Sequence, residues 1–178
     1  MPNVAGGAAR VTLVLGGARS GKSRYAEALV ATQPPPWIYL ATAQALDDEM
    51  AGRIAEHRAR RDGRWRTVDA PHDLAGALAA APVGAAVLVD CLTLWLSNRM
   101  LAEVDVDAEI VAFEEALDRR VGPVVLVSNE VGFGIVPDNA LARRFRDLQG
   151  RLNQRVAARA DRVVLVVAGQ PLTVKGHP

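Results

Sequence analysis

The stretch Val11-Thr12-Leu13-Val14-Leu15-Gly16-Gly17-Ala18-Arg19-Ser20-Gly21-Lys22-Ser23 determines the fold of this chain. Its first five residues are largely apolar and predict a buried strand. The next eight fit the pattern G-x-x-x-x-G-K-[ST] of a phosphate-binding loop (P-loop), and residues 24–31 then have helical character. A strand, a glycine loop and a helix in this order are the context that the motif requires.

A loop of this kind binds phosphate through its backbone. Glycines allow the chain to curl so that its N–H groups point at one anion, and the following helix adds its positive dipole end. Lys22 would reach the β- and γ-phosphates, and Ser23 would hold Mg²⁺. The predicted nucleotide-binding residues of this stretch are Gly16, Gly17, Ala18, Arg19, Ser20, Gly21, Lys22 and Ser23.

The composition is that of one ordinary globular domain. The chain has 178 residues, of which 50% are hydrophobic and 23% charged, enough for a substantial core. A net charge of +1 gives no indication of nucleic acid or a membrane surface as partner, and no apolar run approaches the roughly 20 residues of a membrane span. The single cysteine, Cys91, excludes an internal disulfide. We therefore expect one cytoplasmic domain over residues 1–178, with a loose N-terminus at residues 1–10.

Apolar runs and helical segments alternate along the rest of the chain. Strands are expected at residues 37–42, 65–68, 85–90, 124–130 and 163–167, with an edge strand returning at 172–175. Helices are expected at residues 47–61, 72–81, 92–101, 108–120 and 139–160. The apolar stripe of the last one is expected to be Leu141, Phe145, Leu148, Leu152 and Val156. This alternation predicts an α/β fold of the P-loop NTPase type, with a mostly parallel sheet, helices on both faces and a short antiparallel edge strand.

Ligands of such sheets bind at the carboxyl ends of the strands. The segments expected to end there are residues 16–23, residues 41–43, Asp90, residues 129–130 and Gly169. The sequence therefore predicts a single active-site edge.

Asp90 closes its apolar strand in the manner of a Walker B acid. It is interpreted as a Mg²⁺ carboxylate of a P-loop enzyme; the alternative is a cap for the helix that begins at Leu92. Cys91 has no cysteine or histidine at ligand spacing, which favours a buried structural thiol.

His57 is the most informative histidine of the chain. It shares a helix face with Met50, Ile54 and Arg61, which is typical of a packed core histidine. Yet a neutral imidazole is also a competent nucleophile towards phosphorus, and arginines around it would bind phosphates. The alternative for Arg58, Arg60 and Arg61 is a solvated helix face.

The residues alone restrict the function to a class. The Asn-Lys-x-Asp motif of switch GTPases is absent, and the chain is short for a motor domain. A small-molecule kinase or a related phosphotransferase remains.

His72 and His177 have no clear partner and are expected to be non-catalytic. The arginines of the long helix, among them Arg155 and Arg159, are expected to form a solvated or subunit-facing surface.

Longer segments then match one family. In chain order they are the P-loop octapeptide, Tyr39-x-Ala41-Thr42, Asp48-Glu49-Met50-x-x-Arg53-Ile54-x-x-His57-Arg58-x-x-Arg61, Trp65-x-Thr67, Asp90-Cys91-Leu92-Thr93, Ser128-Asn129-Glu130-Val131-Gly132-x-Gly134-Ile135-Val136-Pro137, Leu141-Ala142-Arg143-x-Phe145-Arg146-Asp147, Asn153-Gln154 and Ala160-Asp161. These segments resemble the bifunctional adenosylcobinamide kinase/adenosylcobinamide-phosphate guanylyltransferase family of cobalamin biosynthesis. The resemblance runs from about residue 12 to residue 175.

The resemblance implies two reactions. ATP or GTP first phosphorylates the aminopropanol hydroxyl of adenosylcobinamide. A histidine, which His57 matches, then attacks the α-phosphate of GTP, expels pyrophosphate and passes GMP to the new phosphate. The product is adenosyl-GDP-cobinamide. The resemblance also implies a homotrimer.

Further nucleotide contacts follow from the same resemblance. They are Ala41, Thr42, Ala43, Arg58, Ala59, Arg60, Arg61, Asp69 and Asp90. Asp69 departs from the family, which commonly has Glu there, so its reach to nucleotide is shorter. The rival hypotheses are a kinase for another metabolite and a nucleotide-regulated binding protein without transfer chemistry.

Overall fold

The computed structural model describes residues 9–177. The loose N-terminus expected at residues 1–10 therefore lies almost wholly outside the described residues. In the part that is described, no helix combines the length and the apolar character that crossing a bilayer requires.

A seven-stranded sheet forms the centre of the protein. The strands are β1 (Val11–Gly16), β2 (Trp37–Ala41), β3 (Trp65–Asp69), β4 (Val87–Asp90), β5 (Val124–Asn129), β6 (Arg162–Val167) and β7 (Gln170–Lys175). Their order across the sheet is β3-β2-β4-β5-β1-β6-β7. Pairing is parallel from β3 to β6, and β7 runs antiparallel to β6. The expected sheet, including its antiparallel edge strand, is confirmed.

Within residues 9–177, six helices connect these strands. They are α1 (Lys22–Val30), α2 (Asp48–Ala59), α3 (Leu74–Ala80), α4 (Leu92–Leu101), α5 (Val106–Arg119) and α6 (Ala140–Arg159). Short polar side chains cap the N-termini of four of these helices. The side chains of Asp47, Asp73, Asp105 and Asn139 each accept a hydrogen bond from a backbone N–H in the first turn. These caps make α3 begin two residues later, and α5 two residues earlier, than expected.

The sheet separates two apolar layers. Alternation along β2 sends Ile38 and Leu40 to one layer, and Trp37 and Tyr39 to the other. The first layer is the larger one and is covered by helices α3 to α6. The second is covered by α1. Tyr39 therefore lies on the sheet face that also carries the helix of the P-loop.

The long helix α6 differs from expectation in two ways. Leu141, assigned to its apolar stripe, is 56% exposed, because it lies in the first turn beyond the edge of the core. Arg155 and Arg159 do not form a freely solvated surface. Both pair with Glu114 of α5, which is buried, at 2.6 Å and 3.1 Å. An ion-pair cluster thus joins α5 to α6.

Candidate active site

A cleft of about 1040 Å³ opens at the carboxyl end of the sheet. It lies between the P-loop, the end of β2 and helix α2, and it includes the carboxyl ends of β4 and β5 through Asp90 and Asn129. Gly169, in the turn after β6, also reaches it. Parallel strands bring their ends to one edge, so segments that are far apart in sequence meet here.

Two glycines of the P-loop are required by its geometry. A side chain on Gly16 would collide with the Ser20 side chain and approach the carbonyl oxygen of Val166 to 2.7 Å. Gly21 has φ = 96°, in the left-handed region that favours glycine, and it directly precedes α1. Both positions let the loop close tightly on the start of the helix.

Lys22 and Ser20 bear unused hydrogen-bonding capacity in this loop. The Lys22 ammonium donates to the carbonyl of Gly17 at 3.0 Å, folding back over the loop. Burial lowers the pKa of Lys22, an effect that the nearby Cys91 and Asp90 oppose. The buried hydroxyl of Ser20 finds no hydrogen-bond partner among the described residues. These groups are suited to bind an anion that enters the loop.

His57 lies at the opposite wall of the cleft, on the last turn of α2. Its side chain is 32% exposed, so it is not a packed core histidine, and Met50 and Ile54 line the cleft beside it. Its Nδ1 atom is 3.8 Å from a carboxylate oxygen of Asp90. The same Asp90 oxygen accepts a hydrogen bond from the Tyr39 hydroxyl at 3.0 Å. The carboxylate therefore lies between β2 and the histidine, and it does not cap α4.

Arg60 connects His57 to the helix that follows the P-loop. Its guanidinium is 3.1 Å from His57 Nδ1 and 3.7 Å from a carboxylate oxygen of Glu27, on α1. A second ion pair joins it to Glu56 at 3.6 Å. This second pair lies along the helix surface at i,i+4 spacing, whereas the other two contacts carry Arg60 into the site.

Arg61 is the arginine best prepared to receive an anion. Its guanidinium stacks on the Tyr39 ring, 3.6 Å from the centroid. Two of its buried nitrogens, Nε and one terminal nitrogen, have no hydrogen-bond acceptor in the described part of the chain. Stacking holds the plane of the guanidinium while N–H donors stay free, which is the arrangement that bidentate phosphate binding uses. Arg58, by contrast, pairs with Asp69 at 3.3 Å in solvent.

The donor set also fits a magnesium ion. The P-loop places the hydroxyl of Ser23 in the same cleft as the carboxylate of Asp90. Oxygen donors of this kind, completed by phosphates and water, suit Mg²⁺, which is usually held by one or two carboxylates and the substrate. Within residues 9–177, no group of three histidine, cysteine or acidic side chains forms a metal cluster.

Most of the predicted site residues lie in this cleft. They are Ala18, Arg19, Ser20, Gly21, Lys22, Ser23, Ala41, Ala43, His57, Arg58, Arg60, Arg61, Asp69 and Asp90. Gly16, Gly17, Thr42 and Ala59 do not line it. The reason is clearest for Thr42, which is fully buried and whose hydroxyl exchanges hydrogen bonds with the backbone N–H and carbonyl of Cys91, both at 2.7 Å. Its side chain holds β2 against the end of β4 and is directed away from the cleft.

Two residues at the site, Tyr39 and Glu27, have no role predicted from the sequence, whereas Asn129 is expected at the active-site edge. Tyr39 is quoted only within a buried strand and a family segment, although it is two residues before Ala41 and therefore on the same face. Glu27 is four residues after Ser23, hence one turn along the same face of α1. Asn129 ends β5 and lines the cleft, with its backbone N–H bound by the Thr93 hydroxyl at 2.8 Å. Periodicity could have located the first two, whereas their partners could not be read from it.

Two further residues named from the sequence are His72 and Cys91. His72 contacts Gln44 and Arg99 and does not line the cleft. Cys91 is a buried free thiol, and burial raises its pKa to about 11.

Comparison with known proteins assigns the chain to a family. Residues 12–174 match the family described as cobinamide kinase/cobinamide phosphate guanyltransferase. The bifunctional adenosylcobalamin biosynthesis protein CobP of Pseudomonas aeruginosa is 51% identical over 169 residues, covering 93% of this chain and 98% of that protein. The bifunctional adenosylcobalamin biosynthesis protein CobU of Salmonella typhimurium strain LT2 is 46% identical over 180 residues, covering 92% and 98%.

A more distant likeness concerns the fold alone. The solved structure of a prototypical ATPase from the type III secretion system of pathogenic bacteria matches with a TM-score of 0.55 at 12% identity. The match covers 88% of this chain and 50% of the ATPase chain. It supports a P-loop NTPase-like architecture. Because residues 12–174 match the family model and the two relatives are 51% and 46% identical, the chain belongs to the cobinamide kinase/cobinamide phosphate guanyltransferase family.

Proposed function

We propose that this chain phosphorylates adenosylcobinamide with ATP or GTP and then transfers GMP from GTP to the new phosphate through His57. The product is adenosyl-GDP-cobinamide. Family membership supports the two reactions, and both relatives are named as bifunctional adenosylcobalamin biosynthesis proteins. One structural observation carries the assignment to residues: Lys22 of the P-loop and His57 line one cleft of one chain.

The kinase step uses the phosphate end of the cleft. The aminopropanol hydroxyl attacks the γ-phosphorus, a new P–O bond forms, and the bond to the β-phosphate oxygen breaks. Lys22 and the backbone of the P-loop bind the charge that collects on the β- and γ-phosphates. Ser23 and Asp90 would hold a Mg²⁺ ion, which supplies further charge neutralisation when bound.

The transfer step also uses residues of helix α2, which forms one wall of the cleft. A ring nitrogen of His57 attacks the α-phosphorus of GTP, an N–P bond forms, and pyrophosphate leaves with the electrons of the bridging P–O bond. The phosphate made in the first step then attacks the same phosphorus and releases the histidine. Arg60 lies beside the imidazole, Arg61 stacks on Tyr39 in the same cleft, and both stabilise the equatorial charge. Further nucleotide contacts are proposed for Ala41, Ala43, Arg58 and Asp69.

The proposed enzyme works in the cytoplasm as a homotrimer. Light scattering coupled to size exclusion measures the mass directly, and a monomer or dimer under assay conditions would contradict the trimer. Because His57 and the P-loop meet within one chain, the chemistry proposed here does not require a second subunit to supply either of them.

The decisive experiment is labelling with GTP carrying ³²P at the α-phosphate. We expect acid-labile, alkali-stable label on the protein in the presence of Mg²⁺, and none in His57→Ala. Phosphorylation of adenosylcobinamide should continue in that variant, since the kinase step does not use the imidazole. A kinase for another metabolite would take no label from α-labelled GTP. A binding protein would bind nucleotide without turnover on adenosylcobinamide.

A further inference from the structure

Glu27 is an acidic residue next to a cleft that we propose to bind a triphosphate, since it lies 3.7 Å from Arg60, which lines that cleft. Its side chain is only 14% exposed, and it projects from α1 towards the end of α2. Its Oε1 atom accepts no hydrogen bond from any residue that the structure describes, yet lies 3.7 Å from the Arg60 guanidinium. A largely buried carboxylate beside a proposed phosphate site opposes anion binding, so its presence requires an explanation.

The charges around Glu27 show what it interacts with. Burial raises the pKa of Glu27, and the cations Arg60 and Arg61, together with His57, act in the opposite direction, with Arg60 the strongest of the three. Asp90 is the acidic group that faces it from the sheet, and it adds to the rise. Arg60 is therefore the main stabilising partner of this carboxylate.

Arg60 in turn faces the proposed nucleophile. A guanidinium only donates hydrogen bonds, so at 3.1 Å His57 Nδ1 is the acceptor and carries a lone pair rather than a proton. This is the electron pair that attack on phosphorus requires. The guanidinium lies where the α-phosphate must come when that nitrogen attacks, and it can pass from the nitrogen to a phosphate oxygen as the N–P bond forms.

We propose that Glu27 is a positioning residue for guanylyl transfer: by pairing with Arg60 from helix α1, it keeps the guanidinium beside His57 Nδ1. The inference rests on the proposed function. Without this tether, a free arginine would be drawn to the more highly charged β- and γ-phosphates in the P-loop. Glu27 thus restricts Arg60 to the α-phosphate, where the transfer reaction takes place.

The reaction step itself balances without a further reactant. Nδ1 bonds to the α-phosphorus, the bridging oxygen leaves with pyrophosphate, and the imidazolium retains its proton on Nε2. When the cobinamide phosphate attacks, the N–P electrons return to Nδ1. Arg60 donates hydrogen bonds throughout and transfers no proton.

The test compares two carboxylates that pair with the same arginine. Glu27→Gln removes the buried charge while keeping the shape of the side chain. Glu56→Gln removes the exposed partner, whose side chain is 72% exposed and 3.6 Å from Arg60. Protein labelling by α-labelled GTP and phosphorylation of adenosylcobinamide are measured for each, with the melting temperature in parallel.

We expect Glu27→Gln to slow labelling about 10- to 100-fold, the scale of a misplaced catalytic group. The KM for GTP should be unchanged or lower, because the released arginine can bind the other phosphates. The kinase rate should stay within about twofold of the wild-type rate. The melting temperature should stay within a few degrees of the wild-type value. Glu56→Gln should label at the wild-type rate.

A double-mutant cycle assigns the effect to Arg60. In an Arg60→Gln background, Glu27→Gln should cause no further loss, because the two residues act as one unit. Arg60→Gln also breaks the pair from its other side, so the inference can be tested if Glu27→Gln proves unstable.

Three results would overturn the inference. They are wild-type labelling in Glu27→Gln, a parallel loss of both activities, and additive losses in the cycle. In each of these the wild-type protein still takes label, and the proposed function is unaffected. A wild-type protein that takes no label would overturn the proposed function and the inference together.

Discussion

His57 Nδ1 lies 3.8 Å from a carboxylate oxygen of Asp90, although the two residues come from different helix–strand units of the chain. Asp90 ends β4 in the centre of the sheet, and His57 belongs to the last turn of α2. The contact places an imidazole beside the carboxylate that we propose to hold Mg²⁺. The cleft of the P-loop thereby contains the group that we propose as a second nucleophile for phosphorus.

Replacing Lys22 by Ala is expected to reduce both reactions by at least about 100-fold, since each needs the phosphates held in the P-loop. Initial rates of adenosylcobinamide phosphorylation and of protein labelling measure the effect. The matched control is Lys175→Ala, because that ammonium binds the carbonyls of Ala157 and Ala158 at the end of α6. Wild-type kinase activity in Lys22→Ala would refute the P-loop assignment.

Arg61→Lys is expected to weaken GTP binding about 10- to 100-fold, as measured by isothermal titration. An ammonium cannot stack on Tyr39 or present two parallel N–H donors, and charged hydrogen bonds contribute roughly 1.5–3 kcal/mol. Arg64→Lys provides the comparison, because Arg64 also stacks on an aromatic ring, Trp37, but pairs with Asp62 in solvent. Equal losses in the two variants would show that stacking alone explains the effect.

The pH dependence of stability should differ between wild type and Glu27→Gln. Burial raises the pKa of Glu27 above 4.5, so the folded protein binds a proton more readily than the unfolded chain does. The contribution of the protonated acid is complete below pH 4.5 and is lost as the pH rises through the folded pKa. Wild type should therefore lose free energy of unfolding relative to the variant over this range, as measured by urea denaturation between pH 4 and 7. A relative gain with rising pH would contradict the assigned direction.

The buried acid between α5 and α6 should contribute strongly to stability. Glu114 is held by Arg155 through two hydrogen bonds of 2.6 Å and 2.7 Å and by Arg159 at 3.1 Å. Glu114→Gln should lower the free energy of unfolding by about 2–4 kcal/mol. The neighbouring Glu115→Gln should cost less than about 0.5 kcal/mol, because its pair with Arg119 is exposed on both sides. Equal costs would show that burial does not strengthen the pairing.

Local patterns were sufficient for most of the fold. Unbroken apolar runs predict the parallel strands, and the helix starts expected at residues 47 and 139 are within one residue of the observed ones, where Asp47 and Asn139 cap free N–H groups. Boundaries shifted where a nearer cap existed, as at Asp105. Leu141 was misassigned because a helical period does not reveal where the neighbouring layer ends.

Side-chain partners in the site were harder to predict. The P-loop and His57 could be named from motif and resemblance, whereas Tyr39 and Glu27 were overlooked. A strand or helix pattern gives the face on which a residue lies but not what faces it across a cleft. The contact of Thr42 with Cys91 could not be predicted for the same reason, because β2 and β4 become neighbours only when the sheet forms.

By itself the sequence determined the P-loop, the α/β class and the segments that resemble one family, because these depend on local order and periodicity. Only the tertiary structure decided that His57 stands between Asp90 and Arg60, and that Arg60 is paired with Glu27 from another helix. The contacts of His57 with Asp90 and of Arg60 with Glu27 each join residues 33 positions apart, and they exist because parallel strands deliver their carboxyl ends to one edge. Sheet topology therefore converts a phosphate-binding loop into a cleft equipped for two proposed reactions.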